Sequence, residues 1–73
     1  MVDPVPAYNV VIERDEEGWL VGSVPELPGC HTQAKSQDQL IERIREAILL
    51  YLDTHKDRPH VEFVGVQRVD IPA

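Results

Sequence analysis

The sequence predicts an α+β protein with the element order βββαβ, in which one helix packs on a sheet to form a two-layer sandwich. Three short stretches rich in β-branched and aromatic residues are separated by turns that contain glycine and proline. One long stretch then has apolar residues at helical spacing, and a Val-rich stretch follows it. With 73 residues, the chain is expected to form a single domain, residues 1–73, with a small core.

The first three strands are predicted to form an antiparallel meander. Tyr8–Arg14 and Trp19–Val24 flank the polar turn Asp15–Gly18, whose glycine can adopt a positive φ. The VPELP loop, Val24–Pro28, contains two prolines that end the second strand, and the glycine after it allows the chain to reverse. Cys30–Ala34 is the third strand. Short connections favour pairing between strands that are consecutive in the chain.

A helix is expected over Gln37–Thr54. Ser36 is followed three positions later by Gln39, which is the pattern of a capping box at a helix N-terminus. The apolar residues that follow lie on one stripe at helical spacing: Leu40, Ile41, Ile44, Ala47, Ile48, Tyr51 and Leu52. Leu49 and Leu50 fall outside that stripe. The stripe is expected to pack on the sheet.

A fourth strand, His60–Val69, is predicted after Pro59 prevents the helix from continuing. Because a helical crossover usually joins parallel strands, this strand should run parallel to the first and third strands. If it lies beside the first strand, the spatial order is 3-2-1-4, a truncated version of the ribonuclease H sheet. Residues 1–7 have no core-forming pattern and are expected to form a loose N-terminal arm.

The predicted strands carry apolar residues on both faces. Apolar residues on one face alternate along the strands with apolar residues on the other face, which include Val11, Trp19, Val21 and Val64. A single helix covers only one face of a sheet, so apolar surface should remain after the chain folds. Contiguous surface of that kind marks interaction sites. The alternative is that these side chains are partly buried within one domain.

Composition limits the classes of partner. Thirteen acidic and seven basic residues give a net charge of −6, which disfavours direct nucleic-acid binding and suits a basic protein partner. The alternative is that the charge only maintains solubility. No apolar stretch approaches the roughly 20 residues that span a bilayer, and no signal peptide is recognisable. The single cysteine, Cys30, cannot form an internal disulfide. A cytoplasmic protein is therefore expected.

The ribonuclease H topology prompts a search for metal-binding carboxylates. Such a site needs acids that project together from strand interiors and a helix. The first strand instead offers Asn9, with Glu13 at its outer end, and Glu42 and Glu46 have arginines beside them on the helix. No catalytic residue, metal site or cofactor is predicted.

Two other constellations are weak. Cys30 and His31 are adjacent in a strand, so their side chains should point to opposite faces and cannot act as a nucleophile and base. His55, Asp57 and His60 could bind zinc only if the helix end and Pro59 brought them together. Surface polar residues near a helix end are the simpler interpretation.

Residues Tyr8–Leu52 resemble the HicB-like antitoxin family. The resemblance rests on YNVVIERDEEGW, on VPELPGCHT, and on SQDQLIERIREAILLYL. It implies a partial ribonuclease H-like fold without nuclease activity that binds HicA, a small basic toxin that cleaves mRNA, and that self-associates into homodimers or homotetramers. Typical members carry Gly-Asp where this chain has Gln33–Lys35, and many have a C-terminal DNA-binding domain, which is not expected in this 73-residue sequence.

The leading hypothesis is a non-enzymatic antitoxin-like protein that masks a HicA-like toxin. The residues expected to contact partners are Trp19, four residues of the VPELP loop and two helix leucines: Trp19, Pro25, Glu26, Leu27, Pro28, Leu49 and Leu50. One alternative is an orphan oligomer without a toxin. The other is a degenerate metal-dependent nuclease that uses Glu13, Glu42, Glu46 or the histidines near Asp57.

Overall fold

The computed structural model describes residues 6–57 and 61–72. Its elements are three strands and one helix: β1 (Val11–Arg14), β2 (Leu20–Ser23), β3 (His31–Ala34) and α1 (Gln37–Thr54). The strands form an antiparallel sheet in the order β1-β2-β3. The α+β class, the meander and both ends of the helix are therefore as the sequence predicts.

Each strand is shorter than predicted because neighbouring backbone groups bond elsewhere. The Asn9 N–H donates to the carboxylate of Glu26, with nitrogen to oxygen distances of 3.3 and 3.0 Å, so β1 begins later than Tyr8. β2 and β3 end where turn bonds begin, because the Val24 carbonyl accepts from the Leu27 N–H over 3.0 Å and the Cys30 N–H donates to the Leu27 carbonyl over 2.9 Å. These bonds occupy the donors and acceptors that longer strands would use.

The β1–β2 turn is held by Asp15. Its Oδ1 accepts from the backbone N–H groups of Glu17 and Trp19, each over 2.9 Å. The Asp15 carbonyl accepts from the Gly18 N–H over 3.1 Å, and Gly18 has a φ of 87°. A turn followed by a glycine at positive φ is a common way to close a hairpin with a longer loop. The predicted role of Gly18 is thus confirmed.

The VPELP loop consists of two consecutive turns, each with a proline at its second position. The Leu27 N–H donates to the Val24 carbonyl over 3.0 Å, and the Cys30 N–H donates to the Leu27 carbonyl over 2.9 Å. In the second turn, Pro28 precedes Gly29, whose φ is 87°. A type II turn favours this order, because proline presets the first central φ and glycine accepts the positive second one.

The helix begins as its capping sequence predicts. The Ser36 side chain accepts from the Gln39 N–H over 3.2 Å. The helix contacts β2 and β3, and Arg43 Nη1 donates to the Gln33 carbonyl over 2.8 Å. Its contact face buries the core of the described residues: Val24, Leu27, Cys30, Ala34, Leu40 and Ile44.

Strand alternation divides the sheet into a helix-covered face and an open face. Gly22 pairs with Ile12 and Thr32, so these residues share a face, and Gly22 lies against Leu40 of the helix. The open face carries Val11 and Val21, which are half-buried. The expectation of apolar residues on both faces is confirmed.

The predicted fourth strand is not formed. Residues 61–72 contain no strand or helix, and His60 lies outside the described residues. The helix packs over β2 and β3, so a strand added outside β1 would lie at the side of the sheet that the helix covers least. The relationship to the ribonuclease H sheet, which depends on that strand, stays a prediction. Of the predicted N-terminal arm, Pro6 and Ala7 are described and are exposed.

Candidate partner-binding surfaces

The acids considered for a metal site do not converge in the structure. Glu13, Glu42 and Glu46 are all exposed. Within residues 6–57 and 61–72, no group of three His, Cys, Asp or Glu side chains is arranged to hold a metal ion. Cys30 is buried, whereas its neighbour His31 is exposed, as alternation along the strand predicts. Burial also raises the pKa of the Cys30 thiol, which disfavours the reactive thiolate at neutral pH.

Trp19 lies at the base of the acidic β1–β2 turn. It is half-buried, and together with Asp15, Glu16, Glu17 and Gln33 it lines a shallow hollow of about 400 Å³. We call these five residues the hairpin-tip surface. The three carboxyl side chains are exposed, so this surface joins one large aromatic ring to concentrated negative charge.

Lys35 shields the Trp19 ring. Its Nζ lies 4.0 Å from the ring centroid, which is the geometry of a cation–π interaction. Lys35 itself is exposed. This contact is not apparent from the sequence, because Lys35 follows β3 and only the pairing of β3 with β2 brings it close to Trp19.

The VPELP loop presents only some of its predicted contact residues. Leu27 is 1% exposed and belongs to the core, so it anchors the loop and offers no surface to a partner. Pro28 is exposed, and Pro25 and Glu26 are half-buried. The Tyr51 hydroxyl donates to the Pro28 carbonyl over 2.8 Å, which fixes the loop to the C-terminal part of the helix.

Glu26 connects the VPELP loop to the segment before β1. Its carboxylate accepts from both the backbone N–H and the side-chain amide of Asn9, the latter over 3.0 Å. Burial opposes ionisation of Glu26, but the bonds from Asn9 and from its own backbone N–H outweigh burial and lower its pKa. In the sequence, Asn9 stands where a metal-binding carboxylate would be needed. Its bonds to Glu26 become apparent only in the fold, because the two residues are distant in the chain.

The bonds to Glu26 predict a pH-dependent contribution to stability. Because the folded-state pKa lies below the usual value, the contribution is present above that value and is lost as the pH falls through the folded-state pKa. We expect Glu26→Gln to lower the free energy of unfolding at pH 7 by less than about 1 kcal/mol, since solvent screens this partly exposed group. Urea denaturation of both proteins at pH 7 and pH 3 measures the difference, which should be smaller at pH 3.

Glu16→Gln is the matched control for this prediction. Glu16 is exposed on the β1–β2 turn, so the same chemical change there shows what the loss of one surface carboxylate does by itself. Equal stability losses for Glu26→Gln at both pH values would show that ionisation of Glu26 does not stabilise the loop.

An apolar groove lies between the helix and the segment that precedes β1. It has a volume of about 660 Å³, and its lining residues come from those two segments: Pro6, Ala7, Tyr8, Val10, Ile41, Ile44, Arg45, Ile48, Leu49 and Leu52. No residue of 61–72 lines it. The groove reaches Val10, the residue before β1, and β1 pairs only with β2 in the sheet of the described residues.

Leu49 and Leu50 are both exposed, but only one of them belongs to the groove. Their side chains are 69% and 65% exposed. This agrees with their predicted position outside the helix stripe. Leu49 lines the groove and Leu50 does not. The sequence does not distinguish the two leucines, because only the position of the segment before β1 places Leu49 in the groove.

The chain is a small α+β domain with an acidic surface around Trp19 and an apolar groove along its helix. The family described as "HicB_like antitoxin of bacterial toxin-antitoxin system" matches residues 8–69. The chain therefore belongs to the HicB-like antitoxin family, as its resemblance to that family predicts. Membership implies a non-enzymatic role in a toxin-antitoxin system.

Relatives share most of the chain's length. A UPF0150 protein of Archaeoglobus fulgidus is 56% identical over 64 residues, which cover 88% of this chain and 93% of that protein. A UPF0150 protein of Synechocystis is 42% identical over 62 residues, which cover 85% of this chain and 90% of that protein. A UPF0150 protein of Thermotoga maritima is 30% identical over 66 residues, which cover 88% of each chain.

The helix of this domain is not of the membrane-spanning type. In the part of the chain that the structure describes, no helix is long and apolar enough to cross a bilayer.

Proposed function

We propose that this protein is an antitoxin that binds and masks a small basic toxin of the HicA type, which cleaves mRNA, and that it acts in the cytoplasm as a homo-oligomer. The match of residues 8–69 to the HicB-like antitoxin family carries the proposal. The mechanism is steric and electrostatic masking. The bound antitoxin blocks access of mRNA to the toxin and needs no catalytic residues of its own.

The charge of the chain supports a basic partner. Its net charge is −6, and complementary potentials accelerate encounter and exclude partners of like charge. Three exposed carboxyl groups lie together on the hairpin-tip surface, beside Trp19. Aromatic residues are frequent anchors in protein interfaces. We therefore assign the first contact with the toxin to this surface.

The VPELP loop supplies a rigid second contact. Its two proline turns, the Tyr51 bond to Pro28 and the Asn9 bonds to Glu26 fix its shape before any partner arrives. A preorganised loop loses little conformational entropy on binding. Pro25 and Pro28 are the members of the loop that we expect to touch the partner, with Leu27 holding them in place from the core.

The test is inhibition of a purified toxin by this protein. The toxin is the product of a neighbouring gene that encodes a basic protein of about sixty residues with a central histidine, and the readout is cleavage of an mRNA. We expect stoichiometric inhibition that weakens as salt rises. Glu16→Gln combined with Glu17→Gln should slow association with the toxin by about tenfold or more at low salt.

Glu42→Gln combined with Glu46→Gln provides the control. It removes the same two charges from the exposed side of the helix, so the net charge of the two double variants is identical. Equal effects of the two variants would assign the attraction to overall charge and exclude the hairpin tip as the contact. Unimpaired mRNA cleavage in the presence of excess protein would contradict the antitoxin assignment.

A further inference from the structure

The segment after the helix exposes several large apolar side chains to solvent. Val64 is 92% exposed and Val66 is 81% exposed, and Val69 and Ile71 are exposed as well. We call residues 61–72 the tail. So many exposed apolar side chains in one segment are unusual for a folded protein without a partner, because each lacks the stabilisation that burial provides. Burial of these side chains against another apolar surface would therefore stabilise the protein.

The apolar groove and the outer edge of β1 are the complementary surface. The groove is lined mostly by apolar side chains, and none of them comes from the tail. β1 is an edge strand, so the backbone groups on its outer side have no strand partner within the described sheet. An added strand supplies those hydrogen bonds and places alternate side chains over the groove. Ile12, on the helix-covered face of β1, is itself 39% exposed.

We infer that the tail of one copy of this chain pairs with the outer edge of β1 and fills the apolar groove of a second copy, so that two copies exchange tails. Each chain carries both halves of this interface, the tail and the groove. A two-fold exchange therefore satisfies both copies at once and closes the assembly. The inference rests on the self-association in the proposed function and is independent of the toxin.

Composition of the tail fits this occupant. The stretch Val61–Val69 contains four valines and one phenylalanine, residue types with β propensity. The groove contains one basic side chain, Arg45, and the tail has a net charge of −1 from Glu62, Arg68 and Asp70. In the described single chain the tail forms no strand, so its backbone groups stay available to pair with the unpaired edge of β1 in a second copy.

Adjacent helix leucines provide a matched pair of variants. Leu49 and Leu50 are exposed to nearly the same fraction, so replacing either by aspartate should leave the single chain folded. Only Leu49 lines the groove. In light-scattering measurements across a concentration series, we expect a dimer of the 8.3 kDa chain. Leu49→Asp should raise its dissociation constant by at least about 30-fold, as for a central interface residue, and Leu50→Asp should change it little.

Isotope-filtered NMR on a mixture of labelled and unlabelled chains distinguishes exchange from pairing within one chain. We expect nuclear Overhauser contacts between the Val64 and Val66 methyl groups of one copy and Tyr8 or Leu52 of the other. A monomer at all concentrations, tail contacts confined to one chain, or a dimer that Leu50→Asp weakens more than Leu49→Asp would each overturn the inference. Neither measurement includes a toxin, so failure of the antitoxin assignment leaves both results interpretable.

Discussion

Leu40→Ala is expected to remove most of the free energy of unfolding of the chain at 25 °C. Leu40 is fully buried at the start of the helix, against Gly22 of β2. Truncating a buried leucine to alanine costs about 2–5 kcal/mol, because the lost burial adds to the cavity that remains. A domain of this length has a stability of about 3–5 kcal/mol from its core, so one such change removes most of it. Circular dichroism and urea denaturation at a fixed protein concentration measure the loss.

Leu50→Ala is the control on the same helix. It removes the same atoms from a side chain that is 65% exposed, so we expect a change within about 0.5 kcal/mol. Comparable losses for the two variants would mean that the helix does not pack on the sheet through Leu40.

Gly22→Val is expected to destabilise the sheet by about 1–3 kcal/mol through overpacking. A Cβ atom at this position lies 3.2 Å from Val10 Cγ1 and 3.3 Å from Leu40 Cδ1, before the valine methyl groups are added. Gly22 therefore allows the helix to approach the sheet closely. The usual benefit of replacing glycine in a strand interior, about 0.5–1 kcal/mol, is smaller than this cost. Thermal denaturation reports the difference.

Ser23→Val separates crowding from strand propensity. Ser23 is the next residue of β2, and its side chain lies on the open face, away from the helix. Valine there should be neutral or slightly stabilising. A Gly22→Val protein as stable as the Ser23→Val protein would show that the helix can move away from the sheet at little cost.

Local patterns determined the elements of this fold. Ser36 and Gln39 located the helix start, and the Pro28–Gly29 pair located a tight turn, because capping and turn geometry depend on residues close together in the chain. The family resemblance over Tyr8–Leu52 was likewise readable from the sequence and is confirmed. The roles proposed for Trp19, Leu49 and the VPELP loop stay predictions.

The fourth strand depends on a pairing partner that the local sequence pattern does not specify. Val61–Val69 has the composition of a strand, but a strand forms only where a neighbour offers an unpaired edge and a surface to cover. The sequence does not state whether that edge belongs to the same chain or to another copy. In the described structure the tail is outside its own sheet, and the groove beside β1 contains none of it.

By itself, the sequence determined the helix, the order of the first three strands, the turns and the acidic charge, because each follows from neighbours in the chain or from composition. The tertiary structure decided which residues face a partner. It buries Leu27 in the core and places Lys35 over the Trp19 ring. It also brings Asn9 into hydrogen-bonding distance of Glu26, and it places Leu49 in the groove but not Leu50. These are contacts between segments distant in the chain, and only the packed positions of the strands and helix fix their distances.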